Sequence, residues 1–151
     1  MIVEKLDSWH LKLGFLSPIK HNLATHQGSD NIVLRVTTDD GMTGFGEGVP
    51  RAFVTGEVLS DSLSCLRQVL APAILAREFP SPEALLQGLK HLYQQAQAQR
   101  HPAAFCALET ALLDTAGRTW DMPVTGLIGP KLRTSLEYSA CLLYTSPSPR
   151  D

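Results

Sequence analysis

From Asn31 to Gly48 the sequence alternates with a period of two on both sides of a turn, and this hairpin constrains what the rest of the chain can do. Ile32, Leu34 and Val36 fall on one face, with Val33, Arg35 and Thr37 on the other, the pattern of a half-buried strand. Asp39-Asp40-Gly41 supplies the turn, because glycine tolerates the positive φ that a tight hairpin requires. Met42 to Gly48 returns as a glycine-rich strand. Upstream, Val3 to Leu13 places apolar residues at odd positions from Trp9 onward, which predicts another half-buried strand. Three antiparallel strands make the smallest sheet with independent stability, and one of its faces must be covered.

The cover follows in the sequence. Between Glu57 and Leu70 the residues Leu59, Leu63, Leu66 and Leu70 recur at helical spacing, and Pro72 is expected to end or kink that helix. Ser81-Pro82-Glu83 is a helix start: serine caps, proline takes the first helical position, and glutamate complements the dipole. The helix it opens carries Leu85, Leu89, Leu92 and Ala96 on one face, with Tyr93 alongside. Pro102 opens a third, striped by Phe105, Leu108, Leu112 and Ala116, fraying from Gly117 to Trp120 and stopped by Pro123. Strands first and helices second give an α+β fold, a three-stranded antiparallel sheet followed by a bundle of about three helices.

At 151 residues there is room for one domain with a core. A hydrophobic fraction of 44% against 19% charged is that of a globular protein. A net charge of −2 provides no field for nucleic acid. No apolar run approaches the roughly 20 residues of a membrane span, and Met1-Ile2-Val3-Glu4 does not open a secretory signal. Cys65, Cys106 and Cys141 lack metal-ligand spacing. The first two sit in helical apolar patterns and read as buried free thiols, which fits a reducing cytoplasm.

No motif points to chemistry within these residues. Gly44-Phe45-Gly46-Glu47-Gly48 lacks the lysine of a phosphate loop and precedes no helix directly, so it reads as a strand with a close backbone neighbour. Glu47 reads as a structural hydrogen-bond acceptor. Glu109 and Asp114 lie about 140° apart around one helix and do not converge; salt bridges and helix-end contacts are their expected roles. The five histidines are scattered, with no i, i+4 pair and no carboxylate in register, and no serine occupies a G-x-S-x-G context. Two irregular polar stretches remain. Ser17 to Asp30 joins the first two strands and contains Lys20, His21, Asn22, His26 and Gln27; Val49 to Glu57 follows the third strand and contains Arg51. Loops of such length between adjacent elements are commonly functional, and the fork of Arg51 can clamp a carboxylate.

Several segments together resemble the enolase superfamily, in its muconate-lactonising and dipeptide-epimerase-like branch. "NIVLRVTTDDGMTGFGEGVPRAFVTGE" is similar to that family's second and third strands with their following loop. "CALETALLDTAGRTWDMPVTGLIG" is similar to its last capping helix and the linker into the barrel, and "TSLEYSA", Thr134 to Ala140, stands where the first barrel strand begins. Asp121 departs by standing where glycine is common, and Pro130 by replacing the linker's second glycine. The resemblance implies an amino-terminal capping domain over 1–130 and the start of a barrel domain over 131–140. It implies a parent racemase, epimerase or cycloisomerase in which a Lys or His base removes a proton α to a carboxylate with Mg²⁺ assistance. The bases and metal ligands come from later barrel strands, so these residues are expected to hold no catalytic group and no metal, and to be inactive alone. The resemblance maps the two irregular stretches onto substrate-contacting loops, with Ile19, Lys20 and His21 in the first and Arg51, Phe53 and Val54 in the second. It further implies a small carboxylate substrate and a parent that self-assembles.

The last eleven residues, CLLYTSPSPRD, are residue for residue the one-frame translation of the transposase-adapter DNA used in sequencing libraries. Residues 141–151 are therefore expected to be a non-native tail, with the natural gene continuing past Ala140. The alternative to a fragment of an enzyme is a small standalone α+β module that binds a ligand or partner through the same two stretches.

Overall fold

A computed structural model describes residues 1–21 and 24–137. Strands β1 (Val3–His21), β2 (Ala24–Thr38) and β3 (Thr43–Gly48) form an antiparallel sheet in that order. The β2–β3 turn is the expected hairpin: Gly41 has φ +83° and donates to the Thr38 carbonyl at 2.9 Å, while Thr38 donates to Met42 at 3.0 Å. Ile32, Leu34 and Val36 are fully buried. The β1 face is the reverse of expectation. A register irregularity between Val3 and Lys5 switches the sides, so Val3 is buried while Trp9, Leu11 and Leu13 are 41%, 42% and 48% exposed on the outer face. A one-residue slip exchanges the two faces of a strand, and period alone cannot tell which faces the core.

The helical layer comprises α1 (Leu59–Cys65), a π-helical turn (Leu66–Leu70), α2 (Ala71–Ile74), α3 (Pro82–Tyr93), α4 (Ala96–Arg100), α5 (Pro102–Thr119) and α6 (Val124–Ile128). The three rods foreseen from spacing are present. Pro72 does not stop the first of them; the chain widens into the π turn just ahead of the proline and continues to Ile74. The widened turn accommodates a residue that cannot donate an i→i−4 bond. Ser81 caps α3 by accepting from Ala84 N–H at 3.3 Å. Leu85, Leu89 and Leu92 of α3 meet Phe105, Leu108 and Leu112 of α5 in one core with Leu66, Leu70 and Ile74. Each such large side chain stabilises the fold by about 1.5–3 kcal/mol. Ala96 belongs instead to α4 and is exposed. Cys65 is buried as read, but Cys106 is exposed, because the buried sides of α5 are filled by Ala103, Phe105, Ala107 and Leu108 around it.

The glycines of β3 decide how α5 is seated. A Cβ at Gly44 would stand 2.3 Å from Thr115 N, one at Gly46 would stand 2.1 Å from the Ala107 carbonyl, and one at Gly48 would stand 2.0 Å from the Ala103 carbonyl. Two strand residues advance about 6.6 Å and four helix residues about 6 Å, so the helix runs back along the strand with matching steps. The stretch G-F-G-E-G is a bed for a helix. Phe45 and Glu47 point the other way.

Helix α5 ends in a Schellman arrangement: Met122 N–H donates to Gly117 O at 2.8 Å and Asp121 N–H to Arg118 O at 3.5 Å. Asp121 has φ +49° there, the left-handed conformation that explains a preference for glycine at this place. Residues 131–137 contain no helix or strand; the remainder of the Thr134–Ala140 segment and the 141–151 tail lie outside the described residues.

Candidate functional site

The first irregular stretch is not a loop. Strands β1 and β2 continue through it as a two-stranded ribbon, with Ile19 paired to His26, Lys20 to Thr25 and His21 to Ala24. The pairing slips between Gly14 and Ile19, leaving residues 15–18 of β1 opposite the single residue Gln27 of β2. Sequence period is silent here for a physical reason: beyond the core both faces of a ribbon meet water, so no alternation is needed, and Pro18 is tolerated on an edge strand. Asn22 lies outside the described residues.

The second stretch, 49–57, is a knotted turn. Val54 and Thr55 donate to the Arg51 carbonyl at 2.9 and 2.8 Å, and the Thr55 hydroxyl donates to the same oxygen at 3.3 Å. Gly56, with φ +74°, then turns the chain inward. Its far end is anchored by Glu57, whose side chain is fully buried. The Glu57 carboxylate accepts from Ala103 N–H at 2.7 Å, Ala104 N–H at 3.4 Å and the Ser62 hydroxyl at 2.9 Å. It caps α5 from 46 residues away. His101, the residue at the N-cap position, makes no side-chain cap, and a carboxylate at a helix N-terminus is favoured by the dipole and the free N–H groups. His101 Nδ1 stands 4.0 Å from Glu57, buried and without a hydrogen-bond partner among the described residues.

The ribbon and the turn meet through two rings. His26 and Phe53 are stacked with centroids 4.7 Å apart and planes at 27°. Of the six residues the resemblance marked, Ile19 reaches this junction through its pairing with His26, and Phe53 forms it. Lys20 and His21 are placed by their backbone pairs at the ribbon's end. Arg51 and Val54 lie in the turn that carries Phe53, both exposed, and Arg51 makes no ion pair among the described residues. His26 stood in the sequence as one polar residue of a loop, and only the fold shows that it joins the two segments.

The carboxylates bordering this junction are engaged. Asp30 pairs with His10 Nε2 at 2.7 Å, Glu47 accepts from Asn31, and Glu57 holds α5. The absence of carboxylate partners for histidine, read from spacing, is thus corrected at His10 and His101, whose acids arrive from other elements. Asp114 has the structural role expected of it, accepting from Phe45 N–H at 2.9 Å and Arg118 Nε at 3.2 Å. Glu109 sits apart, in an open groove between α3 and α5 with Leu89, Tyr93 and Phe105; burial pushes its carboxyl above the usual range. Among the described residues no three His, Cys, Asp or Glu side chains converge to hold a metal. No helix among them is long and apolar enough to cross a membrane.

A three-stranded antiparallel sheet bedded on one helix, with a ribbon and a turn meeting at one end, is the architecture of a capping domain. The family described as mandelate racemase / muconate lactonizing enzyme, N-terminal domain, matches residues 11–129, and the chain belongs to it. Among curated relatives, an L-Lys-D/L-Arg epimerase of Desulforapulum autotrophicum is 30% identical over 129 residues, covering 85% of this chain and 35% of that protein. An L-Ala-D/L-Glu epimerase of Bacillus subtilis is 26% identical over 147 residues, covering 97% of this chain and 38% of that protein. The substrate-liganded structure of the Bacillus subtilis enzyme matches with a TM-score of 0.72 over 85% of this chain and 34% of its own. A dipeptide epimerase of Enterococcus faecalis, solved with Mg and L-Leu-L-Tyr, matches the fold at 24% identity with a TM-score of 0.72, covering 85% of this chain and 35% of that one. The chain thus spans little more than a third of the length of these proteins.

Proposed function

We propose that these residues form the specificity lid of an isomerase of the enolase superfamily, a racemase, epimerase or cycloisomerase acting on a small carboxylate. The reaction is abstraction of the proton α to that carboxylate. In this reading Mg²⁺, which the Enterococcus faecalis relative was solved with, offsets the charge that develops on the substrate carboxylate. It is held, together with the proton-abstracting base, by a barrel domain beyond these residues, and nothing in this chain takes part in that step. What this chain contributes is a cover. The ribbon and the 49–57 turn shut the substrate away from water and contact its distal part, with Ile19, Phe53 and Val54 as apolar wall and Lys20, His21 and Arg51 as polar contacts. We further propose a cytoplasmic, self-assembling parent enzyme.

The observation that carries this reading is the His26–Phe53 stack. It unites two segments 27 residues apart into one surface at the end of a sheet that matches the capping domains of epimerases. The test is exchange of the α-proton in D₂O by the protein expressed with its downstream barrel and Mg²⁺. Dipeptides, N-acyl amino acids and muconate form the substrate panel. Exchange with one class is expected; no exchange with any would refute the enzyme reading and favour a standalone binding module.

A further inference from the structure

The outer edge of β1 is covered at its start and open along the rest. Val3 N–H donates to the Arg77 carbonyl at 3.3 Å, Ala76 N–H to the Val3 carbonyl at 2.8 Å, and Phe79 N–H to the Met1 carbonyl at 2.8 Å. From Lys5 to Gly14 the strand pairs with β2 on one side, and among the described residues no backbone bond reaches its other side. A strand edge this long is a template for another strand. No proline interrupts it, and Lys5 is folded back onto Asp7 at 3.0 Å. Its outer face is apolar and fixed in advance. Trp9, Leu11 and Leu13 alternate along it, all exposed. The Arg35 guanidinium lies over the Trp9 ring at 5.3 Å and is itself held by Asp7 at 2.7 Å. The opposite edge of the sheet, on β3, is shorter and has Phe45 N–H engaged by Asp114 at 2.9 Å.

We infer that the open edge of β1 is the seam of a two-fold dimer of this chain, in which the β1 strands of two copies pair antiparallel and join their sheets edge to edge. The inference rests on the self-assembly proposed above and on no other part of that reading. Three observations select a second copy as the occupant. An open strand edge is satisfied by a strand, and a two-fold supplies the same edge running the other way. The side chains also fit themselves. An axis normal to the sheet keeps both outer faces on one side. Placed at His10, it sets Trp9 of each copy opposite Leu11 of the other, Lys12 opposite Ser8 and Leu6 opposite Gly14. Asp7 falls opposite Leu13 but is already satisfied by Arg35 and Lys5, and each His10 by its own Asp30. An axis at Trp9 would set Leu11 against Asp7 and Leu13 against Lys5, and one at Leu11 would set Lys12 against His10. Finally, the chain's own later residues lead elsewhere: α6 packs on α5 and α3, in the layer on the face opposite Trp9. One partner occupies the whole seam, so the assembly closes at two.

The test is the mass of the full chain in solution, read by sedimentation across the micromolar range. A dimer is expected. Trp9→Glu and Leu11→Lys, both at exposed positions, should each weaken it at least about tenfold, because a two-fold makes every cross-strand substitution count twice. Both variants should keep the parent's far-ultraviolet spectrum. Mixed in equal amounts they should restore a heterodimer, since the introduced acid then faces the introduced base while the remaining Leu11 faces the remaining Trp9. Leu132→Lys, at an exposed residue far along the chain, should leave the dimer unchanged. Amides between Lys5 and Gly14 should exchange more slowly with deuterium as concentration rises. A monomer at every concentration, a dimer indifferent to both β1 variants, a mixture that stays monomeric, equal sensitivity to Leu132→Lys, or growth beyond two copies would overturn the inference. So would protection of the same amides in a monomer of the protein expressed with its barrel, which would make the barrel the occupant. Absence of α-proton exchange leaves the seam as it stands, and loss of the seam leaves the isomerase reading as it stands.

Discussion

Replacing Gly46 by alanine puts one methyl group where the backbone of α5 already stands. The new Cβ would lie 2.1 Å from the Ala107 carbonyl oxygen, 2.5 Å from Ala111 N and 2.5 Å from Thr110 Oγ1. Real Cβ atoms keep at least 3.0 Å from such neighbours, so helix and strand must separate by nearly an ångström. No flexible side chain stands in between to yield. The separation is felt along the whole bed, because Gly44 and Gly48 hold the same helix at equal closeness. Loss of that contact opens the layer between Ile32, Leu34, Val36 and Ala104, Leu108, Leu112, all fully buried. Overpacking of this kind costs about 1–3 kcal/mol and occasionally more, and with backbone against backbone we expect about 3 kcal/mol. In a chain of this length that is a fall in Tm of about 6–12 °C. The assay is urea and thermal unfolding followed by circular dichroism at low protein concentration, with Gly14→Ala as control, since nothing lies within 4 Å of a Cβ there. A Gly46→Ala protein that melts within 2 °C of the parent would refute the close seating of α5 on β3, and with it the account of the glycine-rich strand.

Three further outcomes follow from local geometry. Asp121→Gly relieves a left-handed residue at the end of α5 and should raise stability by about 0.5–1 kcal/mol in urea; a loss of stability would mean that the aspartate side chain holds the turn. Glu57→Ala strips the buried acceptor from Ala103, Ala104 and Ser62 and should cost about 3 kcal/mol, read as a shift of the urea midpoint against the exposed Glu4→Ala; equality of the two would remove Glu57 as the cap of α5. Glu109→Gln should stabilise the fold in a pH-dependent manner. Burial raises the Glu109 carboxyl above its unfolded value, so its ionisation opposes folding: the penalty is absent near pH 4 and grows as pH rises through the raised value. The gap in Tm between variant and parent should therefore be wide at pH 7 and close toward pH 4, and a gap constant across that range would contradict the assignment.

The fold was legible wherever burial imposed a period. Ile32, Leu34 and Val36 announce an inner face because water is excluded from it, and Leu108 and Leu112 do the same for α5. Ser81 announces its helix because a cap is a local bond. What was not legible is whatever depends on a partner distant in sequence. The outward turn of Trp9, Leu11 and Leu13 follows from an irregularity at Val3 that leaves no mark on composition. Glu57 looks like a residue of a loop until Ala103 arrives 46 residues later. The ribbon from Gly14 to Gly28 was hidden for the opposite reason, since a structure with water on both sides needs no pattern. The resemblance named the segments that form the candidate site. It did not name His26, whose role exists only through Phe53.

The pairing slip beside Gly14 and Gly28 gives the ribbon a neck. Along β2, Gly28 to Ala24 spans about 13 Å, so a rotation of about 15° at the neck would displace the far end by about 3 Å. A Cβ at Gly14 would meet open space, while one at Gly28 would stand 2.6 Å from the Leu13 carbonyl oxygen, so of the two glycines only Gly28 is required by its surroundings. Beyond that neck the ribbon is tied to the 49–57 turn by the stacked rings of His26 and Phe53. The position of the ribbon and the aim of the turn are therefore set by one contact, because Phe53 and Arg51 share a turn that Val54 and Thr55 close on the Arg51 carbonyl.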